Sequence, residues 1–151
     1  MTDVVDGKTR SRMMSGIRGK NTKPEITVRS LLHRHGFRFR IHVDSLPGKP
    51  DIVMKRHRAA IFVHGCFWHA HHCHLFKMPF TRTEFWKAKI EGNRNRDKDN
   101  IKALKESGWR VLTIWECSLK GRARIEEHEL LGKIRAWLSG ETLEYEIKGR
   151  K

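Results

Sequence analysis

The run from Ile61 to Cys73 (Ile-Phe-Val-His-Gly-Cys-Phe-Trp-His-Ala-His-His-Cys) gathers side chains that a hydrophobic core accepts poorly. Histidine and tryptophan carry polar groups that need partners when buried, whereas cysteine and histidine at short spacing are metal donors. Cys66-x4-His71-x-Cys73 packs three such donors into eight residues, and Cys117 offers a fourth. A Cys₃His set closes a tetrahedral sphere, the pattern of structural rather than catalytic Zn²⁺. The spacing leaves the histidine open, since His69, His72 and His74 compete with His71. Bound there, zinc would pin the loop to the strand carrying Cys117 and add on the order of 10 kcal/mol to folding.

A second chemistry centres on Asp51. Asp51-Ile-Val-Met54 and Ala59–His64 read as two strands joined by the basic turn Lys55-Arg-His-Arg58. A hairpin about that turn pairs Met54 with Ala59, sets Asp51 opposite Phe62 and brings its carboxylate beside the backbone of Val63. A carboxylate flanked by carbonyl oxygens suits Mg²⁺, a hard cation able to polarise a phosphodiester and stabilise its leaving oxygen. His69, if outside the zinc set, is a candidate general base, and Asp97 a candidate partner that fixes its tautomer. Phe67 and Trp68, with Trp86, are rings that could stack on bases or wedge between base steps, which is cheapest at a mismatch. The alternative is that they pack as scaffold.

These groups need a frame. Thr22-Lys-Pro-Glu25 is a capping box with proline in the first turn, and a helix should run through Val28, Leu31, Leu32 and His35 to a stop at Gly36. Glu25 is then either the box carboxylate or something more. Phe37, Phe39 and Ile41 alternate with Arg38, Arg40 and His42, which predicts a half-buried strand, and residues 45–50 form a turn cluster. Thr81-Arg-Thr-Glu84 is a second capping box, opening a long helix that reaches about Glu106 and ends at Gly108. Ile90, Asp97, Ile101 and Leu104 share one face of it, so Asp97 points inward and needs a cation or a histidine. Residues 109–115 read as a strand and 125–138 as a last amphipathic helix, and the tail from Ser139 carries no readable signal. The order α-β-β-β-α-β-α predicts an α/β fold, a mixed sheet flanked by helices.

Ahead of this domain (22–151), residues 1–21 are basic and turn-rich, and predict a flexible arm that either stays loose or lays Met14 against a duplex. The 151 residues carry 32 Lys+Arg against 17 Asp+Glu, a net charge of +15 and a pI near 10.3. That field points to a polyanion, and double-stranded DNA is favoured over anionic membrane because no amphipathic anchor or spanning run is visible. The first residues lack the apolar core of a signal peptide, and three cysteines beside histidines fit metal ligation in a reduced, cytoplasmic setting. A non-catalytic zinc module would use the same basic face but has no use for Asp51. A zinc hydrolase of small substrates needs an open coordination position, which four ligands deny.

Pro50-Asp51, the motif Ile-Phe-Val-His-Gly-Cys-Phe-Trp-His-x-His-His-Cys, Thr-Arg-Thr-Glu-Phe-Trp86 and Gly-Trp-Arg-Val-Leu-x-Ile-Trp-Glu-Cys117 closely resemble the very short patch repair endonucleases over about residues 3–138. The resemblance implies a restriction-endonuclease-like fold and a DNA repair enzyme of the bacterial cytoplasm, acting as a monomer. Its activity would be Mg²⁺-dependent nicking 5′ to the thymine of a T:G mismatch left by deamination of 5-methylcytosine. By position, Asp51 would bind Mg²⁺ together with the backbone carbonyl of Val63, where the family commonly has threonine. His69 would be the base and Asp97 its partner, with His64 and Glu25 in support. Cys66, His71, Cys73 and Cys117 match the zinc ligands, and Phe67, Trp68 and Trp86 the wedge, with Met14 acting from the other groove. Phe-Val-His on the second strand replaces the acidic residue and lysine usual in related nucleases.

Overall fold

The computed structural model describes residues 22–69 and 71–150, so the N-terminal arm and Met14 lie outside the described residues. Helix α1 (Lys23–Arg34) begins where the sequence predicts: the Thr22 hydroxyl accepts the Glu25 amide at 3.3 Å, and proline occupies the first turn. It stops at His35, followed by Gly36 at φ +81°. Strands β1 (Arg40–Ile41), β2 (Ile52–Met54), β3 (Ala59–His64), β4 (Arg110–Trp115) and β5 (Glu144–Ile147) form one sheet in that order. The first three pair antiparallel and the last three parallel. Met54 faces Ala59 in the β2–β3 hairpin, as expected, and a 3₁₀ turn (Lys55–His57) closes it with Arg58 at φ +53°.

Parallel neighbours cannot be joined by a tight turn, so each pair spends a helix on the crossover. Helix α2 (Thr83–Glu106) lies between β3 and β4 in the chain, and α3 (Glu127–Ser139) between β4 and β5. Side chains alternate across the sheet. Ile52, Ile61, Leu112, Ile114 and Ile147 pack with residues of α1 and α3, whereas Ala60, Phe62 and Val111 pack with Leu104 and Ile101 of α2. Coverage on both faces explains why β3 and β4 are apolar almost throughout. Among the described residues, no helix is long and apolar enough to cross a membrane.

Three local expectations change. Only Arg40 and Ile41 of the alternating stretch pair with β2, and Ile41 is 43% exposed. Pairing ends there because the chain turns left-handed at His42 (φ +50°), while Phe37 and Phe39 pack on the core from outside any strand. The second capping box does not form. Arg82 takes φ +54° before α2, incompatible with an extended N-cap, and the Thr83 hydroxyl donates instead to the carbonyls of Pro79 and Phe80. Finally, the tail contains β5, whose one available signal was Leu143, Tyr145 and Ile147 alternating with Glu144 and Glu146. Tertiary partners hold it: the Trp115 indole donates to Glu146 at 2.6 Å and Lys105 pairs with Glu144 at 2.8 Å.

Beyond β5 the backbone comes so close to the loop after β4 that a Cβ on Gly149 would lie 2.5 Å from the Cys117 carbonyl and 2.7 Å from that of Ala123. Neither backbone group can rotate away. Gly149→Ala is expected to cost about 1–3 kcal/mol as overpacking. The midpoint of urea unfolding should drop at unchanged slope, and a wild-type midpoint would contradict this packing.

Candidate active site and metal centre

His64 ends β3 opposite Trp115 at the end of β4. Cys66 and Cys117 each stand two residues past that pair, so strand register alone carries them to the same end of the sheet. The loop then returns: the His71 amide donates to the Cys66 carbonyl at 2.9 Å, and His71 Nδ1 lies 3.4 Å from Cys66 Sγ and 3.6 Å from Cys117 Sγ. Donor atoms of Cys66, His71, Cys73 and Cys117 all fall within 4.8 Å of one another. The other histidines lie elsewhere: His69 pairs with Asp97, His72 is at the surface against Phe76, and His74 buries Nε2 beside Gly121 with no hydrogen-bond partner among the described residues. Stacking on Trp115 (centroids 4.3 Å apart, 10° between planes) aims the His71 ring at the sulfurs.

The cysteines are free thiols, and burial pushes Cys66 and Cys117 above the usual thiol range. Buried thiolates without a cation would repel one another, so the bare set holds its protons; a divalent ion displaces them and removes the penalty. Two amides already aim at the sulfurs, Leu75 at Cys73 (3.4 Å) and Gly149 at Cys117 (3.2 Å). The donor set fits a metal.

Asp51 precedes β2, and its Oδ2 accepts the Val63 amide at 2.7 Å, beside the backbone expected from the hairpin register. Glu25 is more than a box carboxylate. It is 1% exposed, Arg29 lies 3.4 Å from its Oε2, and His42 Nε2 lies 2.5 Å from the same oxygen. Burial, reinforced by the neighbouring Glu25 charge and opposed by the Val63 hydrogen bond, raises the Asp51 carboxyl to about 7. Two adjoining carboxylates with a single guanidinium are short of positive charge, which suits a divalent cation. His42 carried no functional signal in the sequence, where it is one polar member of an alternating stretch.

On the α2 side, His69 Nδ1 lies 2.5 Å from Asp97 Oδ2. The inward carboxylate of α2 therefore has its histidine. His64 stacks on His69 with centroids 3.7 Å apart and planes within 4°. Burial, and secondarily the charge of His69, holds His64 well below the ordinary histidine range, so it is a neutral ring. The site residues thus form two clusters about the last residues of β3. Glu25 and Asp51 (with His42) are approached from α1, and His64, His69 and Asp97 from α2.

Phe67, Trp68 and Trp86 meet edge-to-face, with centroids 5.1 to 5.7 Å apart. Each is partly buried and partly open, a shared knob rather than three separate rings. The Trp68 carbonyl accepts the Asn93 amide group of α2 at 3.0 Å, which ties the loop to the helix. Phe76 and Phe85 extend the cluster, and nearby in the chain Phe80 stands wholly in solvent.

A part-buried thiol–imidazole cluster, a carboxylate pair and an aromatic knob on a strongly basic chain suit metal-assisted chemistry on nucleic acid. Comparison with known families narrows this: the model of the family "DNA mismatch endonuclease Vsr" matches residues 2–75. Over 141 residues the chain is 49% identical to the DNA mismatch endonuclease Vsr of Escherichia coli K12, covering 93% of this chain and 90% of that protein. It is 48% identical to the type II nicking enzyme V.XorIIP of Xanthomonas oryzae pv. oryzae, over 83% of this chain and 93% of the relative. V.NmeAIP of Neisseria meningitidis, another type II nicking enzyme, is 42% identical over 84% and 91% of the two chains. The chain belongs to the Vsr family of DNA mismatch endonucleases.

The raised Asp51 carboxyl has a consequence for stability. A carboxyl near 7 when folded and near 3.8 when unfolded keeps its proton longer in the native state, so its contribution falls as pH rises from about 4 to 7. His64, depressed by burial, works in the opposite sense as pH rises toward its unfolded value of 6.5. The difference between wild type and Asp51→Asn isolates the carboxyl. In zinc-replete buffer without Mg²⁺, the variant should gain stability on wild type between pH 4 and 7, measured by urea unfolding. A constant difference across that range would show that Asp51 titrates normally.

Proposed function

We propose that this chain, acting as a monomer in the bacterial cytoplasm, is a Mg²⁺-dependent endonuclease. It would nick one DNA strand 5′ to the thymine of a T:G mismatch produced by deamination of 5-methylcytosine, and so initiate very short patch repair. Family membership supports mismatch-directed nicking. The single observation that carries the mechanism is Asp51 on the Val63 amide beside Glu25, at the strand end that also bears the His69–Asp97 pair. A mixed sheet with helices on both faces and the site at a strand end supports a restriction-endonuclease-like fold.

Held by Asp51 and the backbone carbonyl of Val63, Mg²⁺ would supply the positive charge that polarises the scissile phosphodiester and stabilises its leaving oxygen. Asp97 fixes the proton of His69 on Nδ1, which leaves Nε2 to take a proton from water as the water oxygen attacks phosphorus. The imidazolium that forms is stabilised by the Asp97 carboxylate. His64 supports this step by remaining neutral, since a second charge in the stacked ring would oppose protonation of His69. Glu25 adds negative charge next to Asp51 and strengthens the local demand for a cation.

Zn²⁺ on Cys66, His71, Cys73 and Cys117 is structural in this reading. It anchors the loop that carries Phe67, Trp68 and His69. Phe67, Trp68 and Trp86 form the wedge that unstacks the mismatch from the major groove, and Met14 of the arm acts from the other groove. The net charge of +15 supplies sequence-independent attraction to the duplex.

The decisive assay is nicking of duplexes carrying every single mismatch in varied flanking sequence, with Mg²⁺ supplied or withheld. Cleavage is expected only at T:G and only with the ion; equal cleavage of perfect duplex would sink the proposal. Asp51→Ala should lower nicking by at least about 10²–10³-fold, the scale of removing one electrostatic stabiliser, and leave mismatch affinity in gel-shift titrations largely intact. Cys117→Ser should lose stoichiometric zinc by metal analysis, and full content would remove Cys117 from the set. Phe67→Ala and Trp68→Ala should reduce the ratio of T:G to T:A binding more than they reduce binding to T:A itself. Equal losses on both duplexes would make the rings scaffold.

A further inference from the structure

His42 has no part in the reaction as described, yet its position is constrained from three directions. Its backbone is left-handed (φ +50°), a conformation that any residue with a Cβ adopts at a cost. Its amide donates to the Asp51 carbonyl at 3.2 Å, tying that turn to the residue just before β2. Its side chain, 13% exposed, brings Nε2 to 2.5 Å from Glu25 Oε2. One donor atom from each of Glu25, His42 and Asp51 lies within 4.8 Å of the other two.

We infer that His42 is a nitrogen ligand at the Glu25–Asp51 centre, so that this site binds Mn²⁺ more tightly than the Mg²⁺ proposed to support nicking. The inference deepens the proposed function and rests on its reading of Asp51 as a metal-binding carboxylate. The chemistry is that of donor type. Mg²⁺ takes oxygen ligands and keeps several waters, whereas later divalent ions accept imidazole as well as carboxylate. With Mg²⁺ a water can occupy the position that His42 fills for Mn²⁺. A neutral imidazole carries one ring proton, and with Nε2 as ligand that proton resides on Nδ1. The Glu25 oxygen that Nε2 now faces then becomes a neighbouring ligand instead of a hydrogen-bond acceptor. Arg29 brings one positive charge to the two carboxylates, which leaves room for a cation. Hydrogen bonds alone, from His42 to Glu25 and between Glu25 and Asp51, also join the three side chains, and nitrogen coupling on a bound ion is what separates that arrangement from ligation.

The test is Mn²⁺ titration of the full-length, zinc-loaded protein, followed by electron paramagnetic resonance, with nitrogen hyperfine coupling measured on the bound ion. Wild type should bind Mn²⁺ with a nitrogen coupling that changes on ¹⁵N-histidine labelling, and Mg²⁺ should compete only at about tenfold or greater excess. His42→Gln keeps a hydrogen-bonding group toward Glu25. It should lose the coupling and bind Mn²⁺ about 10–100-fold more weakly, at unchanged zinc content and unfolding midpoint. Bound Mn²⁺ without nitrogen coupling in wild type, or coupling that survives in His42→Gln, overturns the inference and leaves His42 only as the partner of Glu25. The wild-type labelling result stands even if the variant folds poorly. Asp51→Ala separates the two readings. If it binds Mn²⁺ like wild type, the reading of Asp51 itself fails; if it loses Mn²⁺ while His42→Gln does not, only the inference about His42 fails.

Discussion

The parallel pairing of β3 with β4 is the constraint on which the site depends. With His64 opposite Trp115, every residue just beyond those two positions is delivered to one end of the sheet. Cys66 and Cys117, far apart in the chain, become neighbours, and the loop between Gly65 and Cys73 is forced to fold back over the strand ends. The same pairing sets where α2 must cross, and hence where Asp97 can meet His69. A one-residue slip would turn every side chain of β3 to the opposite face and separate both clusters at once. The core guards against that slip, because Ile61 and Phe62 are buried on opposite faces against different helices.

Charge, more than shape, gives the strand ends their chemistry. Thiols, carboxylates and histidines are held in partly dry surroundings, and each is pushed toward its neutral form by burial: Cys66, Cys117 and Asp51 upward, His64 downward. Groups held this way answer strongly to a nearby cation, since metal binding exchanges a costly buried anion for a compensated one. His69 is the contrast: it has a carboxylate partner in Asp97 and the neutral His64 ring stacked on it. The last residue of β3 and a histidine of the loop after it, stacked ring on ring, thus differ in their partners.

The aromatic cluster is joined to these side chains by the covalent chain. Phe67 and Trp68 follow Cys66 directly and His69 follows Trp68, so the rings and the imidazole ride on one short segment. Trp86 and Asn93 brace that segment from α2.

Much of this was legible in the chain. Cys66, Cys73 and Cys117 with a histidine of the same loop mark a candidate metal site by type and spacing, the hairpin arithmetic from Met54 to Ala59 places Asp51 beside Val63, and the heptad-like face of α2 turns Asp97 inward. These rest on local periodicity and on chemistry that few other roles explain. Tertiary structure decided the rest. Which histidine faces the thiols depends on Trp115 stacking on His71, a contact between residues 44 positions apart. β5 exists because its backbone pairs with β4 and Ile147 enters the core, with Trp115 and Lys105 reaching its glutamates, not because its own four residues insist on a strand. His42 and Glu25 come together only when α1 packs beside the turn into β2. Side-chain type and spacing report what a residue can do; partners brought from distant parts of the chain determine which of those capacities is used.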